Sequence, residues 1–244
     1  NGFIRKVGEY NKWDSQRSFD VPAVVEVTPD LGRLLGLYIA EGSITRDPKG
    51  RATGLVFTFH QNERELADFV QSGLASIFGV ASTQTAREVK TIREVHCSST
   101  VVGRLFEALC GSDCADKRVP DFVYRSPRDV IRAFVGGVVD GNGRYVGHRG
   151  GYTSVRMTSR DVVHGLRLLV GSLGYAGVVT KRPGTKLPIY MLSWSSQPKD
   201  RRFRSDDDYL YFPLKAIATR HYHGMVLNLE VDEDNSYVSD FAVH

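Results

Sequence analysis

Cysteine is scarce in this chain, and the three present, Cys97, Cys110 and Cys114, are odd in number and scattered. That pattern argues against a disulfide framework and suits reduced thiols in a cytosolic compartment. Cys110 and Cys114 are four apart, but no second Cys/His pair comes after them at ligand spacing, so no structural zinc site is expected. Long apolar runs are missing too. Without a stretch of about 18 apolar residues or a signal-peptide pattern, the expectation is a cytoplasmic protein, bacterial, archaeal or phage-encoded, with no membrane partner. Charge of one sign is only mildly in excess: 32 basic against 28 acidic residues give +4, which fits a polyanionic partner without requiring one. With 41 % hydrophobic and 25 % charged residues the composition is that of a folded chain, and 244 residues suffice for two compact domains or one duplicated one.

Glycine, by contrast, is plentiful, and its spacing is informative. Two segments, Thr28 to Gly42 (TPDLGRLLGLYIAEG) and Ser126 to Gly143 (SPRDVIRAFVGGVVDGNG), open with an N-cap followed by proline in the first helical position. Gly32, Gly36 and Ala40 recur every four positions, as do Ala133, Gly137 and Gly141, each displaced by 101. Glycine inside a helix costs roughly 0.5–1 kcal/mol relative to alanine, so such a stripe needs a packing reason. Small residues on one face let two helices approach until their backbones nearly touch.

The segments after each helix also repeat. There is an extended stretch (Leu55 to Phe59; Thr153 to Met157), then a capped helix (Asn62 to Phe78; Ser159 to Leu173). Two strand-like runs come next, Thr83 to Lys90 and Thr91 to Ser98 in the first half, Val178 to Arg182 and Pro188 to Trp194 in the second. A further helix, Thr100 to Cys110, closes the first half. The expectation is an α+β chain with a pseudo-twofold duplication. Residues 1–27 form an N-terminal extension, 28–114 the first half, 115–125 a linker, 126–208 the second half and 209–244 a β-rich tail.

If the glycine stripes meet, the helix C-termini lie side by side and the next residues out are Glu41 and Asn142, again 101 apart. A carboxylate there is opposed by the helix macrodipole, so something positive should compensate. A divalent cation would do so, and oxygen ligands of this kind suit magnesium.

LLGLYIAEG (Leu34 to Gly42) and VGGVVDGNG (Val135 to Gly143) resemble the paired motifs of LAGLIDADG homing endonucleases, and the resemblance extends over nearly the whole chain. It implies an αββαββα core in which the motif helices pack centrally and antiparallel saddle sheets enter the DNA major groove. It also implies that Glu41 and Asn142 hold Mg2+ for hydrolysis of double-stranded DNA, the chain acting as a monomer on a long specific target. Asn142 departs from the acidic residue of the family, because an amide oxygen ligates a metal without bringing charge. An engineered change, a natural loss of cleavage and a nicking enzyme all remain open, as does a non-cleaving DNA-binding regulator on the same scaffold. Asp140, two residues earlier, points off another side of the helix. Lys117-Arg118-Val119-Pro120 resembles the block before the second motif in intein endonucleases, which implies Lys117 beside the scissile phosphate. For the second half Lys181 and Lys186 are both available.

Cations fall on or beside the strands of both halves: Arg46, Arg51, Arg87, Lys90, Arg93, Arg144, Arg149, Arg156, Lys181, Arg182 and Lys186. Grouped there, they favour a DNA-facing surface, with Arg87 and Arg93 expected on a common sheet face by strand parity. The tail resembles the C-terminal, Hint-like splicing blocks of an intein, in which His244 stands at the penultimate histidine. No N-terminal splicing block precedes, so the resemblance implies either a removed or separate N-terminal intein half, or a free-standing endonuclease with a decayed tail.

Overall fold

The computed structural model describes residues 3–4, 21–87, 91–146, 151–195, 203–206, 210–211, 213, 216–225, 238–239 and 242–243. The chain divides into two units, Asn1–Asp200 and Arg201–His244. Lys90, Arg149 and His244 lie outside the described residues.

The first unit opens with β1 (Phe3–Ile4) paired to β2 (Val21–Pro22). Val21 is buried in the main core, so part of the 1–27 segment packs against the body. Next in the chain are α1 (Pro29–Glu41), β3 (Gly42–Arg46), β4 (Ala52–His60), α2 (Arg64–Phe78), β5 (Thr83–Arg87), β6 (Ile92–Cys97) and α3 (Thr100–Cys110). After a 3-10 helix at Asp121–Arg125 come α4 (Arg128–Asn142), β7 (Gly143–Val146), β8 (Tyr152–Met157), α5 (Arg160–Ser172), β9 (Val178–Arg182) and β10 (Ile189–Ser195). Two four-stranded antiparallel sheets result, ordered β3-β4-β6-β5 and β7-β8-β10-β9, the same order element for element. Strands β3 and β7, not singled out by pattern, leave directly from the ends of α1 and α4. The fold is α+β with antiparallel sheets, as the sequence reading expects.

The local chemistry explains most boundaries. Thr28 Oγ1 accepts from the Leu31 amide (3.3 Å), and Pro29 costs nothing at the first helical position. Ser99 and Ser159 cap α3 and α5 in the same way, and Gly79, at φ 66°, ends α2 in the left-handed conformation that glycine tolerates. Ser126 does not cap α4. Its hydroxyl turns back to the Phe122 carbonyl (2.9 Å), and Pro127 occupies the cap position without a side-chain bond.

Helix α1 is apolar nearly all round: Leu31, Leu34, Leu35, Leu37, Tyr38 and Ile39 are buried, as befits a central element. Each fully buried leucine is worth roughly 2 kcal/mol of transfer free energy. One face of α1 meets α4 through the glycine stripe. A Cβ on Gly32 would stand 2.8 Å from the Val130 carbonyl oxygen, and one on Gly36 or Gly137 would run into the Phe134 or Arg33 carbonyl of the facing helix. The helices therefore touch backbone to backbone and run parallel, their C-termini at the same end. The other faces of α1 pack on the first sheet and on α3: Tyr38 makes edge contacts with Phe57 of β4 (6.1 Å) and Phe106 of α3 (5.1 Å). The segment expected as a linker is partly interior, with Lys117, Val119 and Val123 buried.

In the second unit the described residues form two short ribbons, β11 (Arg204–Ser205) with β12 (Leu210–Tyr211) and β13 (Val238–Ser239) with β14 (Ala242–Val243), besides the exposed run 216–225. Among the described residues no larger Hint-like sheet is present.

Candidate active site

At the shared end of α1 and α4 the glycine seam brings Glu41 beside α4. A Cβ on Gly141 would lie 2.6 Å from Ala40 Cβ and 3.6 Å from Glu41 Oε1, so the carboxylate stands next to the residue preceding Asn142. Gly42 and Gly143 then let the chain turn into β3 and β7, since a Cβ on either would collide with the helix just left, at Tyr38 and Val139 respectively. Glu41 is half-buried and Asn142 exposed. Asn142 Nδ2 donates to the Arg156 carbonyl (3.0 Å), which leaves Oδ1 as its acceptor atom.

Burial pushes the Glu41 carboxyl up to about 7, the nearby Glu63 charge adds to the rise and Lys117 opposes it. Glu63 was not anticipated from the sequence. It precedes α2, and its Oε2 accepts from the His60 amide (2.7 Å). Its only sequence signal was an acidic residue at a helix start, which is common at any N-terminus.

Lys117, expected beside the scissile phosphate, is 7 % exposed, and Nζ donates to the carbonyls of Tyr38 (2.8 Å), Ile39 (2.9 Å) and Gly42 (2.7 Å). All three ammonium protons are thereby used. Nζ also sits 4.9 Å from the Tyr38 ring centroid. Burial pulls Lys117 down to about 8, which still leaves it charged at neutral pH. This ammonium is the positive group that the end of α1 requires, and its charge acts on Glu41. Ser159 fixes the strand of chain that carries it, donating to the Lys117 carbonyl (2.6 Å) while capping α5.

A cleft of about 300 Å³ opens beside the helix ends, lined in part by Ala40, Lys117, Asn142, Arg156 and Ser159. Glu41 and Asn142 offer oxygen donors of the kind a hard divalent cation takes, and a half-buried carboxylate crowded by a second one would be relieved by such a cation. Among the described residues no three His, Cys, Asp or Glu side chains cluster, so a cation here would need oxygens from substrate and water. Asp140 is occupied elsewhere, bridged to Arg33 (2.9 Å) with the Arg33 guanidinium 4.4 Å from the Phe69 ring.

The candidate cations sort by sheet face. In the first sheet Leu55, Phe57 and Phe59 point to the core, and Val56, Thr58, Thr83, Thr85, Arg87, Glu94 and His96 share the outer face by register. Arg87 is on that face, ion-paired to Glu94 (3.1 Å). Arg93 is not, contrary to the expectation of a common face. It pairs across from Phe59 and reaches Gln84 on the helix side (3.3 Å). Arg46 is held by Glu107 of α3 and Arg51 by Asp47. In the second sheet Arg144, Arg156 and Arg182 are exposed and share the outer face with Ser154, Met191 and Thr180. Lys181 faces the other way, 5.9 Å from the Tyr190 ring, and Lys186 is exposed in the turn before β10.

Residues 28–110 match a family model described as a LAGLIDADG-like domain, which defines the class of this half of the fold. Among solved structures, I-DmoI in complex with DNA and Mn superposes with a TM-score of 0.53 at 15 % identity, covering 70 % of this chain and 91 % of that one. A mesophilic variant of the homing endonuclease I-DmoI gives 0.52, also at 15 %, over 70 % and 90 %. At that identity the likeness establishes the fold. In sequence, the chain is 27 % identical to an iron–sulfur cluster assembly SufBD family protein of Mycobacterium tuberculosis over 229 residues, 88 % of this chain but 27 % of the relative. The ATP-dependent DNA helicase Hel308 of Thermococcus kodakarensis is 27 % identical over 252 residues, 91 % of this chain and 22 % of the helicase. A DNA polymerase of Thermococcus sp. is 29 % identical over 175 residues, 71 % and 9 %. The chain thus spans about a quarter or less of the length of these relatives. No helix among the described residues is long and apolar enough to cross a membrane.

Proposed function

We propose that this chain is a metal-dependent endonuclease of the LAGLIDADG homing type, binding a long specific site on double-stranded DNA as a monomer and attacking one strand from Glu41 far better than the other from Asn142. The observation that carries this reading is the backbone contact of α1 and α4, which brings the ends of the two helices together, with Glu41 beside Gly141, where two sheets of identical strand order begin. A bound divalent cation such as Mg2+ would supply charge neutralisation at the scissile phosphate and a water activated for attack. Glu41 and Asn142 Oδ1 are the residues that would hold it. Lys117 and Tyr38 keep the end of α1, and so Glu41, in place, acting as positioning residues. The outer sheet faces lie in the major groove, which admits a two-stranded ribbon.

The intein-derived reading of the chain has separate support. The matched relatives do unrelated work, iron–sulfur assembly, helicase action and DNA synthesis, yet share one segment with this chain. A segment common to proteins of unrelated function is most simply an insertion within each, and 209–244, with His244, is read as its splicing remnant.

The test is a supercoiled plasmid carrying the uninterrupted form of the gene into which the chain is inserted, incubated with Mg2+ or Mn2+. Nicked circles are expected from the native chain, linear product from Asn142→Asp, and neither from Glu41→Gln. Intact plasmid throughout, Asn142→Asp included, would exclude the enzyme. If the site were then still protected from nuclease digestion, the second reading would hold, a DNA-binding protein that no longer cuts, which the neutral Asn142 favours.

A further inference from the structure

The two sheets repeat each other in topology but not in electrostatics. On the outer face of the first, the one described arginine, Arg87, is spent on Glu94, and Glu94 also contacts His96 (3.4 Å). Its other described neighbours, Val56, Thr58, Thr83 and Thr85, are uncharged. The cations nearest that sheet's edge, Arg46 and Arg51, are each paired to an acid as well. The second face holds Arg144 on β7, Arg156 on β8 and Arg182 on β9, all exposed. None has an acidic partner among the described residues, and among these no carboxylate shares the face. Strand spacing of about 4.8 Å spreads the three over three inter-strand steps, roughly 14 Å, while the register advances them about 13 Å along the strands, so they form a diagonal row. Three like charges at that spacing repel one another and are relieved by a polyanion laid across the strands.

We infer that the two halves divide the labour of DNA binding: Arg144, Arg156 and Arg182 of the second sheet anchor the phosphate backbone, while the first sheet adds little backbone affinity. This rests on the DNA-binding reading above and deepens it. Cations already satisfied by internal carboxylates release few counterions when DNA arrives, whereas free ones release about one each. The anchoring half is then the half whose helix ends in Asn142, and the acid-bearing half is the one loosely attached. A target cut through would be let go by the first face and retained by the second.

The full chain and a short fluorescein-labelled duplex of mixed sequence, followed by anisotropy between about 50 and 200 mM salt, give the slope of log affinity against log salt. The triple variant Arg144→Gln/Arg156→Gln/Arg182→Gln is expected to lower that slope by about 2.7, and each single variant by about 0.9. The double variant Arg87→Gln/Glu94→Gln, which removes a pair without changing net charge, is expected to leave it unaltered. All these side chains are on the surface, and matching melting curves would establish that the variants fold. A triple variant whose slope falls by less than about 1, or a double variant that loses as much as the triple, overturns the division of labour. A native chain that binds no duplex at all overturns the DNA-binding reading and this inference together.

Discussion

Replacing Lys117 by methionine separates two roles that the same residue could have, and does so without any DNA. A lysine reaching from the surface toward a phosphate can be truncated at a cost within about 0.5 kcal/mol of the folding free energy. The structure demands more. The Lys117 ammonium donates to three carbonyls at 2.7–2.9 Å at the end of α1, in a site where it is 7 % exposed. Without the ammonium, carbonyls at the end of α1 lose a buried donor, at a cost of about 1–3 kcal/mol for each one left unsatisfied. Methionine refills most of the volume, the Tyr38 carbonyl keeps the Gly42 amide and the others can regain some water beside half-buried Glu41, so we take about 3 kcal/mol in all. For a unit of this size that is a fall of roughly 6–12 °C in Tm. Urea unfolding of the native chain and Lys117→Met, followed by circular dichroism, measures it directly. A loss below about 1 kcal/mol would mean that the ammonium does not hold the helix end, and the surface role read from sequence context would be restored.

Glu41 gives a pH prediction of definite sign. Its folded value of about 7 exceeds 4.5, so the folded chain holds this proton more tightly than the unfolded one. Stability should therefore fall as pH rises from 4.5 to about 7 and level off above, by ~1–2 kcal/mol once solvent screening at a half-exposed group is allowed for. Glu41→Gln should abolish that slope in the urea midpoint, and Glu63→Gln should move it to lower pH. An unchanged slope in Glu41→Gln would assign the effect to another group. Two adjacent glycines should respond oppositely to alanine: Gly137→Ala, facing the Arg33 carbonyl, should cost about 1–3 kcal/mol, while Gly136→Ala, with open space, should gain roughly 0.5–1. Thermal melts of the two variants check this. Ser159→Ala should cost about 1–2 kcal/mol, whereas Ser126→Ala, which caps nothing, should stay within about 0.5; equal losses would contradict the cap assignment.

The helical seam was legible because glycine at every fourth position is costly unless backbones meet there, so Gly32, Gly36, Gly137 and Gly141 carried their own explanation. Strand identity was legible too, in the alternation of Leu55, Phe57 and Phe59. Which face a cation takes was not. The outer face joins Arg87 to Ile92, and that register depends on the turn through Thr91, at φ 53°, whose geometry residue types alone do not specify. Arg93 accordingly fell on the helix side. Burial of a loop lysine was equally hidden, because Lys117 has no periodic neighbours to announce an interior position. Its three carbonyl partners lie more than 70 residues away.

At the helix seam the two halves are spaced by peptide carbonyls, which have no rotamers to exchange. On the endonuclease reading proposed above, side chains on the sheets can be replaced one after another, changing which bases would be contacted, while the offset between the ends of α1 and α4 stays as it was. In a lineage of such proteins, target sequence would then be free to drift and the stagger between attacked positions would not.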